Sequence, residues 1–463
     1  EKVQMLSQLL QPEILSLIEN RQFGTLKEVL SEWTPADIAE LFYQVSEKDQ
    51  VLVFRLLPKD IAADTFEYLD FDFQENLLKA MGKEEVASIL NEMDPDDRTA
   101  LFEELPASAA KHLIQLLSQE ERKIAVALLG YPENSVGRLM TPDYIAVKPE
   151  MTIQQTLDYI REHGNNKETL NIVYVIDDKG KLIDDVKIKE FLLAPLHNTV
   201  ADLMDENFVE LHVNDDQESA VEVFKKYDRV ALPVVDSAGM LIGIVTFDDV
   251  FDVAEEEATE DIQKLAAIQA LDEAYSTISL PTMLRKRGSW LAVLFIGEMF
   301  TASAMAFFED EISRALVLTL FIPLIISSGG NSGSQAATLV IRALSLGEIT
   351  LTDWFMVFKR ELITGLALGS ALALIGFLRI TVWGVSSDAY GEHWALIGAT
   401  VSISLVGVVL WGTMSGSMLP FILKRLKLDP ATSSAPLVAT LVDVIGVVIY
   451  FTVALFVLRG TLL

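Results

Sequence analysis

The sequence predicts a multidomain protein: an all-α helical N-terminal domain, an α/β module built twice, and an all-α membrane domain of five transmembrane helices. Three observations predict it. Charge is partitioned: residues 1–280 hold 24 Lys/Arg against 56 Asp/Glu, a net of −32, and residues 281–463 hold 12 against 11, a net of +1. The neutral part contains five apolar runs, each reaching the roughly 20 residues that cross a bilayer as a helix. Between residues 131 and 255 a helix–strand–turn–strand–helix pattern occurs twice.

At 463 residues the chain exceeds one core, so several domains are expected. It has no cysteine, which excludes disulfides, thiolate metal sites and cysteine nucleophiles. Its five histidines lack H-x-x-x-H or H-E-x-x-H spacing, which argues against zinc. So acidic a surface repels nucleic acid and attracts cations, although acidity also serves plain solubility. The N-terminal EKVQMLSQLLQPEILSLIEN is charged and amphipathic and does not read as a signal peptide.

Residues 1–130 read as short stacked helices. TPADIAELF (34–42), LPKDIAADTF (57–66) and DPDDRTALF (94–102) each set Pro two residues before Asp, ahead of an apolar face. Proline suits the first helical turn, and an early acid complements the helix dipole. In residues 131–254, NIVYVID (171–177) and ALPVVDSAGMLIGIVTFDDV (231–250) are strand runs, preceded by the helical TIQQTLDYIREHG (152–164) and DQESAVEVFKKYD (216–228). The halves divide at about 137–199 and 200–254. EEEATEDIQKLAAIQALDEAYSTISL (255–280) reads as one long connecting helix, within a connector of residues 255–284.

The membrane part, residues 285–463, divides into spans at about 289–308, 314–343, 355–383, 394–420 and 436–459. The second contains SSGGNSGS (327–334), a density of small residues that loosens a helix or lets backbones approach closely. Arg285, Lys286 and Arg287 precede the first span. Arg342, Lys359 and Arg360 flank the second connection, and Lys424, Arg425 and Lys427 lie in the fourth. The other two connections, FEDE (308–311) and VSSDAYGEH (385–393), are free of Lys and Arg. The positive-inside rule then puts the N-terminal part in the cytoplasm and the C-terminus outside a plasma membrane.

Asp443 interrupts the apolar run PLVATLVDVIGVVIYF (436–451). A carboxylate at that depth costs about 2.5–3.5 kcal/mol or more. Such acids mark ion pathways, or they hydrogen-bond a neighbouring helix. Glu298, midway along the first span, carries the same two alternatives, and Glu361 follows Arg360 near a span end.

LPVVDSAGMLIGIVTFDDV is similar to a cystathionine-β-synthase (CBS) domain, and VGRLMTPDYIAVKPEMT (136–152) opens the pair. CBS pairs hold adenine nucleotides through a T-x-x-D ending; Thr246 and Asp249 match it, which implies one ATP site. The first repeat has Lys187 and Glu190 instead. The domain order, PLIISSGGNSGSQAATLVIRAL (323–344) and DPATSSAPLVATLVD (429–443) together resemble the MgtE family of magnesium channels over the whole chain.

That resemblance implies a homodimer with one pore on its two-fold axis and no enzymatic activity. The family's pore acid maps onto Asp443, and its gating "plug" onto the connecting helix. The plug's TED signature maps onto Thr259, Glu260 and Asp261, and the acid facing it onto Asp429. Ala435 and Glu298 depart from the family's pattern. The expected pore site is Asp443 with backbone carbonyls near Ala439 and Thr440, beside a lining of Gly329, Gly330 and Asn331. A dication moving down ~100 mV gains about 4.6 kcal/mol, so uptake needs no ATP hydrolysis.

Cytosolic Mg²⁺ is then expected to bridge mutually repelling acids and shut the pore. The expected bridges are Asp94, Asp97, Asp216, Glu218, Asp228, Asp249, Asp252, Glu257, Glu260, Asp261 and Asp429. Two other classes remain: a proton- or sodium-coupled carrier with Asp443 titrating, and a membrane-anchored nucleotide sensor without flux.

Overall fold

The structure, a computed structural model, describes residues 12–271, 275, 278–387 and 390–463. Most of the amphipathic N-terminal segment lies outside those residues. The chain divides into two compact units, Glu1–Glu255 and Glu256–Leu463.

In the first unit, short helices follow one another from Phe23–Leu30 to Gln119–Leu128. The proline pattern marks helix starts. Pro35 opens the helix Pro35–Phe42 behind Thr34, whose hydroxyl accepts from the Asp37 amide, and Pro95 opens Pro95–Glu104 behind Asp94. Pro58 precedes Lys59–Glu67 as its N-cap. One apolar core runs through Ile38, Phe42, Phe54, Phe66, Leu90 and Phe102. Each such side chain contributes about 1.5–3 kcal/mol on burial. Arg98 is fully buried among them; it donates to the Leu90 carbonyl at 2.9 Å and to Glu121 at 2.5 Å.

Two three-stranded sheets of identical topology follow. β1 (Ala146–Val147) pairs parallel with β2 (Ile172–Ile176), which pairs antiparallel with β3 (Leu182–Lys187). β4 (Leu211–His212), β5 (Ala231–Val235) and β6 (Leu241–Thr246) repeat that order. The hairpins use the same turn chemistry. Asp177 accepts from the amides of Lys179 and Lys181, Asp236 from those of Ala238 and Met240. Gly180 (φ +86) and Gly239 (φ +78) supply the left-handed residue that a side chain would strain. Reciprocal amide–carbonyl bonds of 2.9 Å between Thr141 and Ile244 join the repeats.

One helix, Phe247–Leu265, carries the chain from the first unit into the second. This corrects the expected single helix over 255–280. It starts earlier, straight from β6, and stops at Leu265. Ala267 takes a left-handed conformation (φ +56), and the Ile268 amide reaches back to the Gln263 carbonyl at 3.0 Å, a helix-ending loop. A new helix begins at Leu280, capped by Ser279 with Pro281 in its first turn.

Among the described residues of the second unit, five helices are long and apolar enough to cross a membrane: Leu280–Phe307, Leu316–Ser345, Leu351–Ser386, Trp394–Arg425 and Ala435–Val457. The second opens with a 3₁₀ turn, Leu316–Phe321, before the α-helix Ile322–Ser345. That helix is unbroken through SSGGNSGS, so the small residues serve close approach. An added Cβ at Gly333 would meet the Gly412 carbonyl of the fourth span at 2.9 Å, and at Gly416 it would strike the Gly333 carbonyl. The buried Tyr450 of the fifth span donates to the Leu318 carbonyl at 2.8 Å.

Candidate functional site

In the first unit, Lys59–Glu67 ends where Pro95–Glu104 begins, and Glu67 accepts the Asp94 amide at 3.0 Å. One carboxylate oxygen each from Glu67, Asp94 and Asp97 lies within 4.8 Å of the others. The groups of Asp94 and Asp97 reach the surface, yet neighbouring protein removes enough water for desolvation to lead their titration. Burial, then the Asp97 charge, lifts Glu67 to about 8. Burial, then Asp94, lifts Asp97 to about 6. Burial raises Asp94, Asp96, Asp249 and Asp252 as well, each reinforced by other carboxylates. Glu168 is pushed up to about 8 by burial and then by Asp94. Three converging carboxylates suit a hard divalent cation, which takes oxygen ligands.

The structure thus brings together Asp94, Asp97, Asp249 and Asp252 of the expected bridges. It adds Glu67, Asp96 and Glu168, which sequence reasoning missed because they converge only through folding. Asp216 and Glu218 stand apart from Asp228. Asp216 caps the helix Gln217–Tyr227, with Glu218 in its first turn, and Asp228 ends it in a left-handed conformation. An 11-residue helix is about 16 Å long, so one ion cannot touch both ends. Asp228 instead lines a cavity of about 500 Å³ with Phe224, Arg229 and Phe251. In the T-x-x-D ending, the Thr246 hydroxyl donates to Asp249 at 2.6 Å. The pair is preorganised, and Asp249 keeps a second oxygen for a ligand hydroxyl.

In the second unit, three expected acids gather at the end of the Phe247–Leu265 helix. Lys264 Nζ lies 2.7 Å from Glu260 Oε1 and 2.7 Å from Asp429 Oδ2. Asp261 accepts from Ser345, at the end of the second span, at 3.3 Å. Burial and then the Asp429 charge raise Asp261. Glu257 lies one turn earlier on the same helix. Lys264 was missed, although it is the only Lys or Arg between residues 251 and 280 and follows Glu260 at helical i,i+4 spacing.

At membrane depth, the Asp443 carboxyl lies beside that of Glu298 on the first span. The close approach has a backbone cause: a Cβ on Gly297 would meet Thr440 Cγ2 at 2.6 Å. Gly330 faces Ala439 and Gly329 packs between Val408 and Val442, while Asn331 is exposed. The Thr440 hydroxyl donates to the Pro436 carbonyl at 3.0 Å. The fifth helix runs unbroken past these residues, so the Ala439 and Thr440 carbonyls sit in its hydrogen-bond ladder and offer an ion's waters only their second lone pair.

Comparison with known proteins matches the domains in order. The MgtE intracellular N domain family covers residues 33–134, the CBS domain family residues 136–196 and 200–256, and the divalent cation transporter family MgtE residues 322–453. The chain is 37% identical to the magnesium transporter MgtE of Thermus thermophilus over 453 residues, covering 96% of this chain and 98% of that one. The chain belongs to the MgtE family. It is also 30% identical to the Bacillus subtilis magnesium transporter MgtE over 441 residues, covering 95% and 96%. Membership and the five apolar helices make it a multi-pass membrane protein of a magnesium-transporter family.

Two solved structures resemble the N-terminal half. One is the cytosolic domain of the Mg²⁺ channel MgtE in complex with ATP: TM-score 0.50, 34% identity, 52% of this chain and 99% of that one. The other is the soluble part of a magnesium transporter: TM-score 0.52, 26% identity, 54% and 99%.

Proposed function

We propose that this protein is a homodimeric Mg²⁺ channel that mediates uptake down the electrochemical gradient and is gated closed by cytosolic Mg²⁺. The observation that carries the reading is Asp443: a carboxyl more than two turns inside an unbroken apolar helix, with another carboxyl, Glu298, beside it. Two acids without a basic partner at that depth call for a cation, and a two-fold axis through the fifth span doubles them. Mg²⁺ keeps several waters and touches one or two carboxylates, so a sparse acidic site suits it better than a full oxygen cage.

The N-terminal part is cytoplasmic and the C-terminus outside, with residues 1–130 and 131–254 as the sensing domains, 255–284 as the gating connector and 285–463 as the pore. Mg²⁺ binds the Glu67–Asp94–Asp97 acids and those around Asp261 and Asp429. It favours the closed state because that state holds more ions. ATP binds the second CBS repeat through Thr246 and Asp249 and adjusts the threshold.

Two neighbouring carboxyls at membrane depth are also a place for a titrating proton. That favours, as the second reading, a carrier exchanging protons for the ion.

The test is Mg²⁺ flux into liposomes of the purified chain under an imposed potential, with high or low Mg²⁺ on the cytoplasmic face. The channel reading expects potential-driven flux, suppressed by cytoplasmic Mg²⁺ and lost in Asp443→Asn. Flux that follows a pH gradient instead establishes the carrier, and undiminished flux in Asp443→Asn removes that residue from the pathway.

A further inference from the structure

The end of the Phe247–Leu265 helix is tied down by a lysine. Lys264 reaches Glu260 on its own helix, one turn back, and Asp429 in the connection between the fourth and fifth spans, both at 2.7 Å. Asp429 is itself held in place: its other oxygen accepts the Ala431 amide at 2.8 Å and caps the turn Pro430–Thr432. The lysine side is fixed too. The Lys264 carbonyl accepts the Ala267 amide at 2.9 Å as the helix ends, and Gln263 Oε1 takes the Leu271 amide at 2.6 Å. Beside the ammonium lies a cavity of about 270 Å³, lined by Glu260, Ile268, Gln269, Trp290 and Thr432. A water occupies about 30 Å³ of liquid, so that space admits several.

Partial burial works against the lysine's charge, but hydrogen bonds to Asp429 and Glu260 outweigh it and hold the ammonium above its ordinary range. The charge is therefore permanent at any physiological pH. It stands between two carboxylates that would repel each other without it.

We infer that Lys264 is a built-in cation of the gate, holding the connecting helix to Asp429 when no divalent ion is bound. The inference rests on the channel reading above and deepens its regulation. The closed arrangement then does not wait for Mg²⁺: an internal positive charge supplies part of what a bound dication supplies, and Mg²⁺ adds to it through Asp261 and the remaining oxygens. Lys264 acts through Asp429 and the helix, as a positioning residue, and touches no permeating ion.

The experiment measures potential-driven Mg²⁺ flux in liposomes of the full chain. Wild type, Lys264→Met, Lys264→Arg and Asp429→Asn are compared with chelator on the cytoplasmic face and then across a Mg²⁺ series. Lys264→Met is expected to raise the chelator-side flux on the order of fivefold, the factor that partly exposed ion pairs support. Millimolar Mg²⁺ should still suppress it, because Glu260, Asp261 and Asp429 remain. Lys264→Arg should restore the wild-type flux, a rescue that depends on charge and that lost packing alone would not produce. Asp429→Asn should match Lys264→Met in chelator, so the inference stays testable if the methionine variant does not fold.

Unchanged chelator-side flux in both neutral variants overturns the inference. So does a Mg²⁺ inhibition curve that moves to lower concentration without any rise in chelator-side flux, since the lysine would then be only a competitor for the ion. Absence of flux in the wild type sinks the channel reading itself and is visible before any variant is compared.

Discussion

Glu67→Gln isolates the repulsion stored in the acids of the first unit. Its carboxylate has two neighbours, Asp94 and Asp97, with oxygens within 4.8 Å. At that separation a pair of unit charges repels by about 0.9 kcal/mol in water and by about 3.5 kcal/mol at an effective dielectric of 20. Asp94 and Asp97 reach the surface, so the lower part of the range applies, and removing the Glu67 charge relieves about 2 kcal/mol in all.

The sign depends on pH. Burial and then neighbouring acids lift Glu67 to about 8 and Asp97 to about 6. A raised acid favours the folded state below the ordinary carboxylate range and loses that contribution as pH climbs through the raised value. The wild-type unit therefore weakens from the ordinary carboxylate range upward, the Asp97 part until about pH 6 and the Glu67 part until about pH 8, and the variant escapes the Glu67 part. Scanning calorimetry of the purified full chain in chelator should show equal unfolding temperatures at pH 4, below the ordinary carboxylate range. At pH 9 the first unit of Glu67→Gln should unfold about 4–8 °C higher. Added Mg²⁺ should stabilise the wild type at pH 9 and the variant less. Equal transitions at both pH values, or equal gains from Mg²⁺, would refute both the repulsion and its relief by a cation.

Arg98→Met leaves the Leu90 carbonyl and Glu121 without their buried guanidinium, and should cost about 3 kcal/mol in the calorimetric stability of the same unit. Gly416→Ala drives a methyl into the Gly333 carbonyl, and the resulting strain of about 1–3 kcal/mol should lower the unfolding temperature of the detergent-solubilised protein. Asp249→Asn weakens a charged acceptor beside Thr246, and should reduce ATP affinity about tenfold by calorimetric titration.

The five spans are legible in the sequence because apolar length is a composition property that no tertiary contact overrides. Their ends are less so. The first helix begins at Leu280, ahead of its apolar run, since the cap at Ser279 and Pro281 in the first turn decide where backbone bonding starts. The connecting helix misleads for a related reason. Its Glu- and Ala-rich run carries no glycine, and the residue that ends it in a left-handed conformation is Ala267, which leaves no punctuation in the sequence.

The candidate site divides along the same line. Asp443 is visible alone, because an acid in an apolar run is anomalous wherever the chain folds. The partnership with Glu298 needs the Gly297–Thr440 approach, which is a three-dimensional fact. Glu67 looks like one more acid in an acid-rich half until two helix ends meet. Asp216 shows a second use for an acid: its side chain accepts the Glu218 amide as the cap of the helix Gln217–Tyr227.

The glycine contacts between the second and fourth spans bear on how any opening motion is distributed. With Gly333 against the Gly412 carbonyl and Gly416 against the Gly333 carbonyl, neither backbone can slide past the other without collision. The two helices form a single stave. Gly329 and Gly333 also seat Val442 and Val438 of the fifth span, so the second helix is the piece on which both neighbours bear.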